Sequence, residues 1–303
     1  MKVYFEKSSS STGSLGEIQS DLIDYLSKYF EVESELYKGS DLSISNFICG
    51  AHSNDYFFKK NKYNILIQPI DGTSIYKDKI DIVNKFDLVI TPGNAGKDIL
   101  INNGVNVPIK VIPNYFKDYP LPKKTPNDKI IFYHESMLYK RKNLMGLYNA
   151  FLGAFADTEL ADKVKLIIKT TSKNTLNENE ENIEVSKFKY TNIPEIEIID
   201  GYYEKEELYQ LWANADVYIS LSHMEGFGIP LLNFASFGKP IITLRSNISG
   251  YMDFLNDDNC YFVESHLVKD TDFPTLYTSE SEWDDIKDIN QCVSVLKQVI
   301  IDN

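Results

Sequence analysis

Short, mostly apolar strands alternate with helical stretches along almost the whole chain, and this alternation limits the fold more than any other feature. Lys2-Val3-Tyr4-Phe5 reads as a strand, followed by a Ser/Gly turn and an amphipathic helix from Glu17 to Tyr29. Leu42–Ile48, Asn64–Gln68, Phe86–Ile90 and Ile109–Ile112 read as further strands, with a helix over Ala95–Asn102. Strands this apolar, separated by helices, point to a parallel sheet covered on both faces. Between Asn114 and Asp128 the text changes to NYFKDYPLPKKTPND, where Pro120, Pro122 and Pro126 disfavour regular structure, and a domain linker is expected there.

The alternation then resumes. Lys129–Tyr133, Val164–Lys169, Ile196–Ile199, Asp216–Ser220 and Pro240–Leu244 read as strands. Asn143–Phe155, Lys205–Ala213, Gly228–Phe237 and Ile286–Ile300 read as helices, with Leu144, Leu147, Tyr148 and Phe151 on one face of the first. Asn174–Glu184 is polar and reads as a surface segment. A length of 303 residues suits two domains of about 150 each. The expected architecture is therefore α/β: two Rossmann-like, doubly wound parallel-sheet domains, residues 1–120 and 121–303, with a cleft where the carboxyl ends of both sheets meet.

Charge and composition narrow the function. A net charge of −13 argues against a surface that grips nucleic acid broadly, because that grip comes from cations neutralising phosphates. The acidity lies almost wholly beyond Leu121, where 18 cations face 29 acids. Three cysteines, far apart and outside any CxxC pair, suggest neither a disulfide framework nor zinc. The four histidines make no metal spacing either. No apolar run approaches the ~18 residues of a spanning helix, and the first residues do not read as a signal peptide. A cytoplasmic protein is expected.

The most informative stretch is DVYISLSHMEGFGIPLLNFASFGKPIITL, Asp216 to Leu244. A strand runs into Ser222-His223-Met224-Glu225, turns at Gly226-Phe227-Gly228, and enters a helix with Pro230 in its first turn. Free N–H groups and the helix dipole at such a start suit a diphosphate. Glu225, just past the strand, is placed to accept hydrogen bonds from sugar hydroxyls.

This stretch resembles the signature of family 4 (group 1) glycosyltransferases, retaining nucleotide-sugar enzymes of the GT-B fold, at Ser222, Glu225, Gly226, Phe227, Gly228, Pro230, Gly238 and Pro240. Lys140-Arg141-Lys142-Asn143 is similar to the family's R-K-N segment, which implies that Lys142 holds the donor diphosphate. Asp200-Gly201-Tyr202-Tyr203 through Asp216 is similar to the run before the signature, and Ser281-Glu282-Trp283 more loosely to its closing segment. Lys169, ending a strand, is a further candidate for the diphosphate. The resemblance also implies that Ser8–Gly16 faces the donor phosphates, with Gly13 and Gly16 allowing close approach, and that Asp71, after a strand end, contacts the acceptor. His52 is a weaker candidate for the family's N-domain histidine. Relatives usually continue, after the helix near this chain's end, with one that crosses back to the first domain.

Two positions depart from the pattern. Asn233 stands where the family has a ribose-binding glutamate, and Met137 where it has an arginine whose place Lys140, Arg141 or Lys169 would take. The reading is transfer of a sugar from a UDP- or GDP-linked donor to an acceptor hydroxyl on a glycan, lipid or protein. Retention, no metal and no cofactor are implied. Asp270-Thr271-Asp272, which copies a metal motif of the other major glycosyltransferase fold, reads as chance. Two alternatives stay open. One is a transferase acting on modified DNA bases, with Lys59-Lys60-Asn61-Lys62 as a phosphate contact. The other is a catalytically silent nucleotide-sugar-binding scaffold.

Overall fold

The computed structural model describes residues 2–5, 13–33, 42–46, 62–115, 118–170, 190–269 and 277–302. Its first sheet holds β1 (Lys2–Phe5), β2 (Glu31–Glu33), β3 (Leu42–Asn46), β4 (Tyr63–Ile67), β5 (Leu88–Thr91) and β6 (Ile109–Val111), all parallel, in the order β2-β1-β3-β4-β5-β6. Helices α1 (Gly13–Ser27), α2 (Lys77–Val83) and α3 (Asn94–Asn102) connect its strands.

The second sheet holds β7 (Ile130–Glu135), β8 (Val164–Thr170), β9 (Glu195–Asp200), β10 (Val217–Ser220), β11 (Ile241–Arg245), β12 (Tyr261–Lys269) and β13 (Glu282–Ile286). Their order is β13-β12-β11-β10-β7-β8-β9, parallel except for β13 against β12. Helices α4 (Leu144–Phe155), α5 (Lys205–Asn214), α6 (Ile229–Ser236) and α7 (Ile289–Asp302) accompany it. The two sheets with flanking helices form a GT-B architecture.

The apolar strands split by alternate residues into two cores, which is why they lack a polar face. Phe132, Leu166, Ile168, Val217, Ile219, Ile242 and Leu244 join residues of α4 and α7 on one side. Ile131, Tyr133, Ile167, Tyr218 and Ile241 join residues of α5 and α6 on the other.

Several elements differ from the sequence reading. Helix α1 starts at Gly13, so Gly13 and Gly16 lie within its first turns rather than in the expected loop. Short strand β2 and helix α2 were not expected, nor was the β12–β13 hairpin. Glu282-Trp283-Asp284-Asp285-Ile286 is too acidic to read as a strand. It pairs nonetheless, because the buried Asp284 carboxylate accepts from the Ser246 hydroxyl and, at 2.8 Å, from that of Ser265. Ser8–Thr12, His52, Lys59–Asn61, Asn174–Glu184 and Asp270–Asp272 lie outside the described residues.

The loop after β4 ties the first sheet to the second. The N–H groups of Thr73 and Ser74 donate to the Ser281 hydroxyl at 2.9 and 3.1 Å. Ile75 forms a β-bridge with Tyr277, whose hydroxyl oxygen accepts the Asp71 N–H at 2.6 Å. Gly72 lies so close to the Tyr277 ring that an added Cβ would fall 2.5 Å from it, and no larger residue fits. Below this seam Met224, Ile248, Tyr277 and Trp283 share a core with Leu66, Ile70, Ile75 and Leu100.

Candidate functional site

In an open α/β sheet, ligands bind beyond the carboxyl ends of strands where the strand order reverses. In the second sheet the chain runs from β7 outward through β8 and β9, then returns to lay β10 on the other side of β7. The loops after β7 and β10 carry Lys142 and Glu225, two of the charged residues singled out in the sequence.

After β7, Lys140–Lys142 form a single 3-10 turn that ends at Asn143 in the left-handed region, φ 52°. The Asn143 side chain holds this bend from both ends. Its oxygen accepts the Gly146 N–H at 3.1 Å, capping α4, and its amide donates to the Leu221 carbonyl at 3.1 Å. A Cβ on Gly146 would lie 2.3 Å from that oxygen, so the cap requires glycine. The cap anchors the β7 loop to the β10 loop and directs Arg141 and Lys142 at Glu225.

Lys142 Nζ lies 2.5 Å from Glu225 Oε1. Arg141 donates to the Met224 carbonyl at 2.9 Å and approaches Glu225 Oε2 at 3.4 Å. Its other terminal nitrogen lies 3.1 Å from Asp71 Oδ2, on the loop of the first sheet. Asp71 Oδ1 accepts the Gly226 N–H at 2.7 Å. The Glu225 backbone is fixed as well, donating to the Ser249 hydroxyl at 3.1 Å and accepting from the Gly250 N–H at 2.9 Å. Gly250 must be glycine, since an added Cβ would lie 2.2 Å from the Gly226 oxygen.

Burial alone would raise the Glu225 pKa, but Lys142 and Arg141 outweigh it and hold the carboxyl at about 2. The Lys142 ammonium is drawn below its ordinary value by burial and by Arg141, while Glu225 opposes that shift. Burial also disfavours the Arg141 charge, yet Asp71 and Glu225 raise its pKa above the ordinary guanidinium value. Behind this cluster, His134 on β7 is buried, and burial holds its pKa down at about 4. Its Nδ1 donates to the Ile219 carbonyl at 2.8 Å and its Nε2 accepts from Ser136 at 2.8 Å, so the neutral ring ties β7 to β10.

The remaining candidates lie nearby or apart. Gly228 caps α6 at φ 82°, with Pro230 in the first turn of the helix. Buried Phe227 packs against Phe254 at 5.2 Å. Asn233 is buried on α6, 5% exposed. Lys169 stands apart at the end of β8, where its ammonium donates to the Gly201 carbonyl at 2.7 Å and lies 5.5 Å from the Tyr203 ring. In the structure three of the groups expected to contact ligands meet protein partners. Lys142, expected to face a ligand anion, faces Glu225. Asp71, expected at the acceptor, sits on Arg141. The Gly226 N–H, expected to be free for a diphosphate, is already donated. Sequence reasoning named Arg141 only as a substitute for a missing arginine and did not foresee it as the bridge between the two sheets. Its basic neighbours are the one local signal that could have pointed there.

The model for glycosyl transferases group 1 matches residues 117–271, half of the chain. No curated protein sequence matches. Among solved structures, the chain is similar to the lipopolysaccharide outer core galactosyltransferase WaaB in its apo form (TM-score 0.63, 14% identity, covering 100% of this chain and 91% of that one). It is similar to Anabaena Alr3699/HepE in complex with UDP-glucose (TM-score 0.63, 15% identity, covering 100% and 90%). A third is the pneumococcal O-GlcNAc transferase GtfA in complex with UDP and GlcNAc (TM-score 0.58, 15% identity), where the match covers 92% of this chain but only 51% of that one. At these identities the likenesses show a shared fold. With the family model matching from Lys117 across the Arg141–Lys142 and Glu225–Gly228 loops, this chain belongs to the group 1 glycosyl transferases.

Proposed function

We propose that the protein transfers a sugar from a nucleoside diphosphate donor to an acceptor hydroxyl, with retention of anomeric configuration and without a metal. The observation that carries this reading is the meeting of Arg141, Lys142 and Glu225 at the switch point between β7 and β10. As the glycosidic bond breaks, charge develops on the departing diphosphate. Two guanidinium or ammonium groups and the N–H groups at the start of α6 supply fixed positive potential for it. Glu225, ionised at neutral pH, orients the sugar through its hydroxyls, and Asn233 on α6 addresses the ribose. Much of the acceleration then comes from holding donor and acceptor in the reacting geometry.

UDP-linked donors are favoured, because solved structures of the same fold include proteins holding UDP or UDP-glucose. Among the described residues no helix is long and apolar enough to cross a membrane.

A thermal-shift screen of UDP-, GDP-, ADP- and CDP-sugars tests the reading. One donor, above its dissociation constant, should raise the melting temperature, by RT ln(1 + [L]/Kd) in free energy. Slow hydrolysis of that donor without acceptor should follow and should vanish in Glu225→Ala. A donor that binds but is never hydrolysed or transferred would turn the reading into that of a binding protein.

A further inference from the structure

The charges at the site cancel: Arg141 and Lys142 are matched by Asp71 and Glu225. A multiply charged diphosphate entering this arrangement meets cations already paired with carboxylates, and is held more strongly once one carboxylate leaves. The two carboxylates are not equally free to do so. Glu225 is only 13% exposed, lies against two cations, and has both its backbone groups bonded. Asp71 is 35% exposed and comes from the opposite sheet. One of its oxygens is ion-paired with the Arg141 guanidinium and the other accepts a backbone N–H before α6, the partners that a phosphate oxygen would use.

The backbone carrying Asp71 is held without the help of its carboxylate. The Asp71 N–H donates to the Tyr277 hydroxyl, and Ser281 accepts from Thr73 and Ser74. Elsewhere on the seam the Asn94 N–H donates to Asp253 at 2.8 Å. Turning the Asp71 side chain outward therefore costs its two contacts at Arg141 and Gly226 and leaves the seam intact.

We propose that the Asp71 carboxylate is a built-in occupant of the donor phosphate site, and that a nucleoside diphosphate binds by displacing this side chain from Arg141 and Gly226 while the 71–75 loop stays in place. The proposal rests on the reading of the site as a nucleotide-sugar site. An internal competitor lowers the apparent affinity by the fraction of time that it holds the slot, so removing its charge tightens binding.

Titration calorimetry with UDP and GDP, and with inorganic pyrophosphate as a probe lacking the base, tests this on the wild type, Asp71→Asn and Asp71→Glu. Asp71→Asn should bind the nucleotide and pyrophosphate roughly tenfold more tightly, and Asp71→Glu about as the wild type does. Melting of the unliganded variants reports whether they fold. A crystal structure of the wild type with UDP, needing no variant, should show Asp71 turned off Arg141. Wild-type binding with equal or weaker affinity in Asp71→Asn, or Asp71 still seated on Arg141 beside the bound nucleotide, overturns this inference alone. Absence of binding in every form overturns the functional reading along with it.

Discussion

Two glutamates near the carboxyl ends of neighbouring strands respond to enclosure in opposite ways. Glu225, beyond β10, meets two cations and is held ionised, at about 2. Glu135, ending β7, meets neutral donors, the Trp212 indole N–H at 2.7 Å and the Tyr133 hydroxyl at 2.8 Å. Burial raises its pKa, and those two hydrogen bonds and the pull of Lys169 only partly oppose it. Lys169 spends its ammonium on the Gly201 carbonyl instead. A carboxylate in a protein interior thus has its pKa lowered or raised according to whether a cation or a neutral N–H reaches it.

The largest test of this contrast is a pair of matched substitutions. Glu225→Gln leaves Lys142 without its anion and should cost about 3–5 kcal/mol of stability, with sugar transfer falling about 100-fold or more as the donor loses its alignment. Glu135→Gln keeps an acceptor for both neutral donors and should cost under about 1 kcal/mol. Chemical denaturation and turnover of the two variants side by side check the pair, and similar losses would erase the contrast.

A smaller effect is expected from Trp212→Phe. It keeps the apolar packing of α5 but removes the N–H that Glu135 accepts, and should cost about 1–3 kcal/mol. The loss should shrink where Glu135 is protonated.

The smallest effects lie in the pH dependence, where the two residues act with opposite sign. The Glu225 pKa is depressed on folding, so its stabilisation is complete above the ordinary value of 4.5 and is lost as pH falls through about 2. That of Glu135 is raised, so its contribution is present below 4.5 and is lost as pH rises through its folded value. His134 adds a window of its own: stabilisation present above 6.5 is lost as pH falls toward about 4. Stability measured across pH for Glu225→Gln and Glu135→Gln should flatten opposite limbs of the profile. Flattening of the same limb in both would refute the assigned directions.

The legible and illegible parts of the site divide along the same strands. The path from β10 through Glu225 to α6 could be read directly, because strand, glycine turn and proline-started helix follow one another within a few residues. Lys142 was legible beside Asn143 for a similar reason, since Asn143 caps α4 through Gly146, three residues on, although its second bond, to Leu221, is not local. The Asp71–Arg141 contact joins residues 70 positions apart on different sheets, and no local pattern encodes it. Nor does any pattern foretell β13, whose buried Asp284 is tolerated only because Ser246 and Ser265 reach it from two other segments.

The amino-acid order by itself determined the alternation of strands and helices, the two-sheet α/β class and the glycine-lined bend after Glu225. These rest on backbone preferences and on the alternation of side chains along a strand, which act over a few residues. Only the tertiary structure decided which charges face one another: that Lys142 meets Glu225, that Arg141 reaches across to Asp71, and that Lys169 turns away toward Gly201. Coulomb energies depend on distances between distant segments and on how much water is left between them, and those quantities exist only once the sheets have packed.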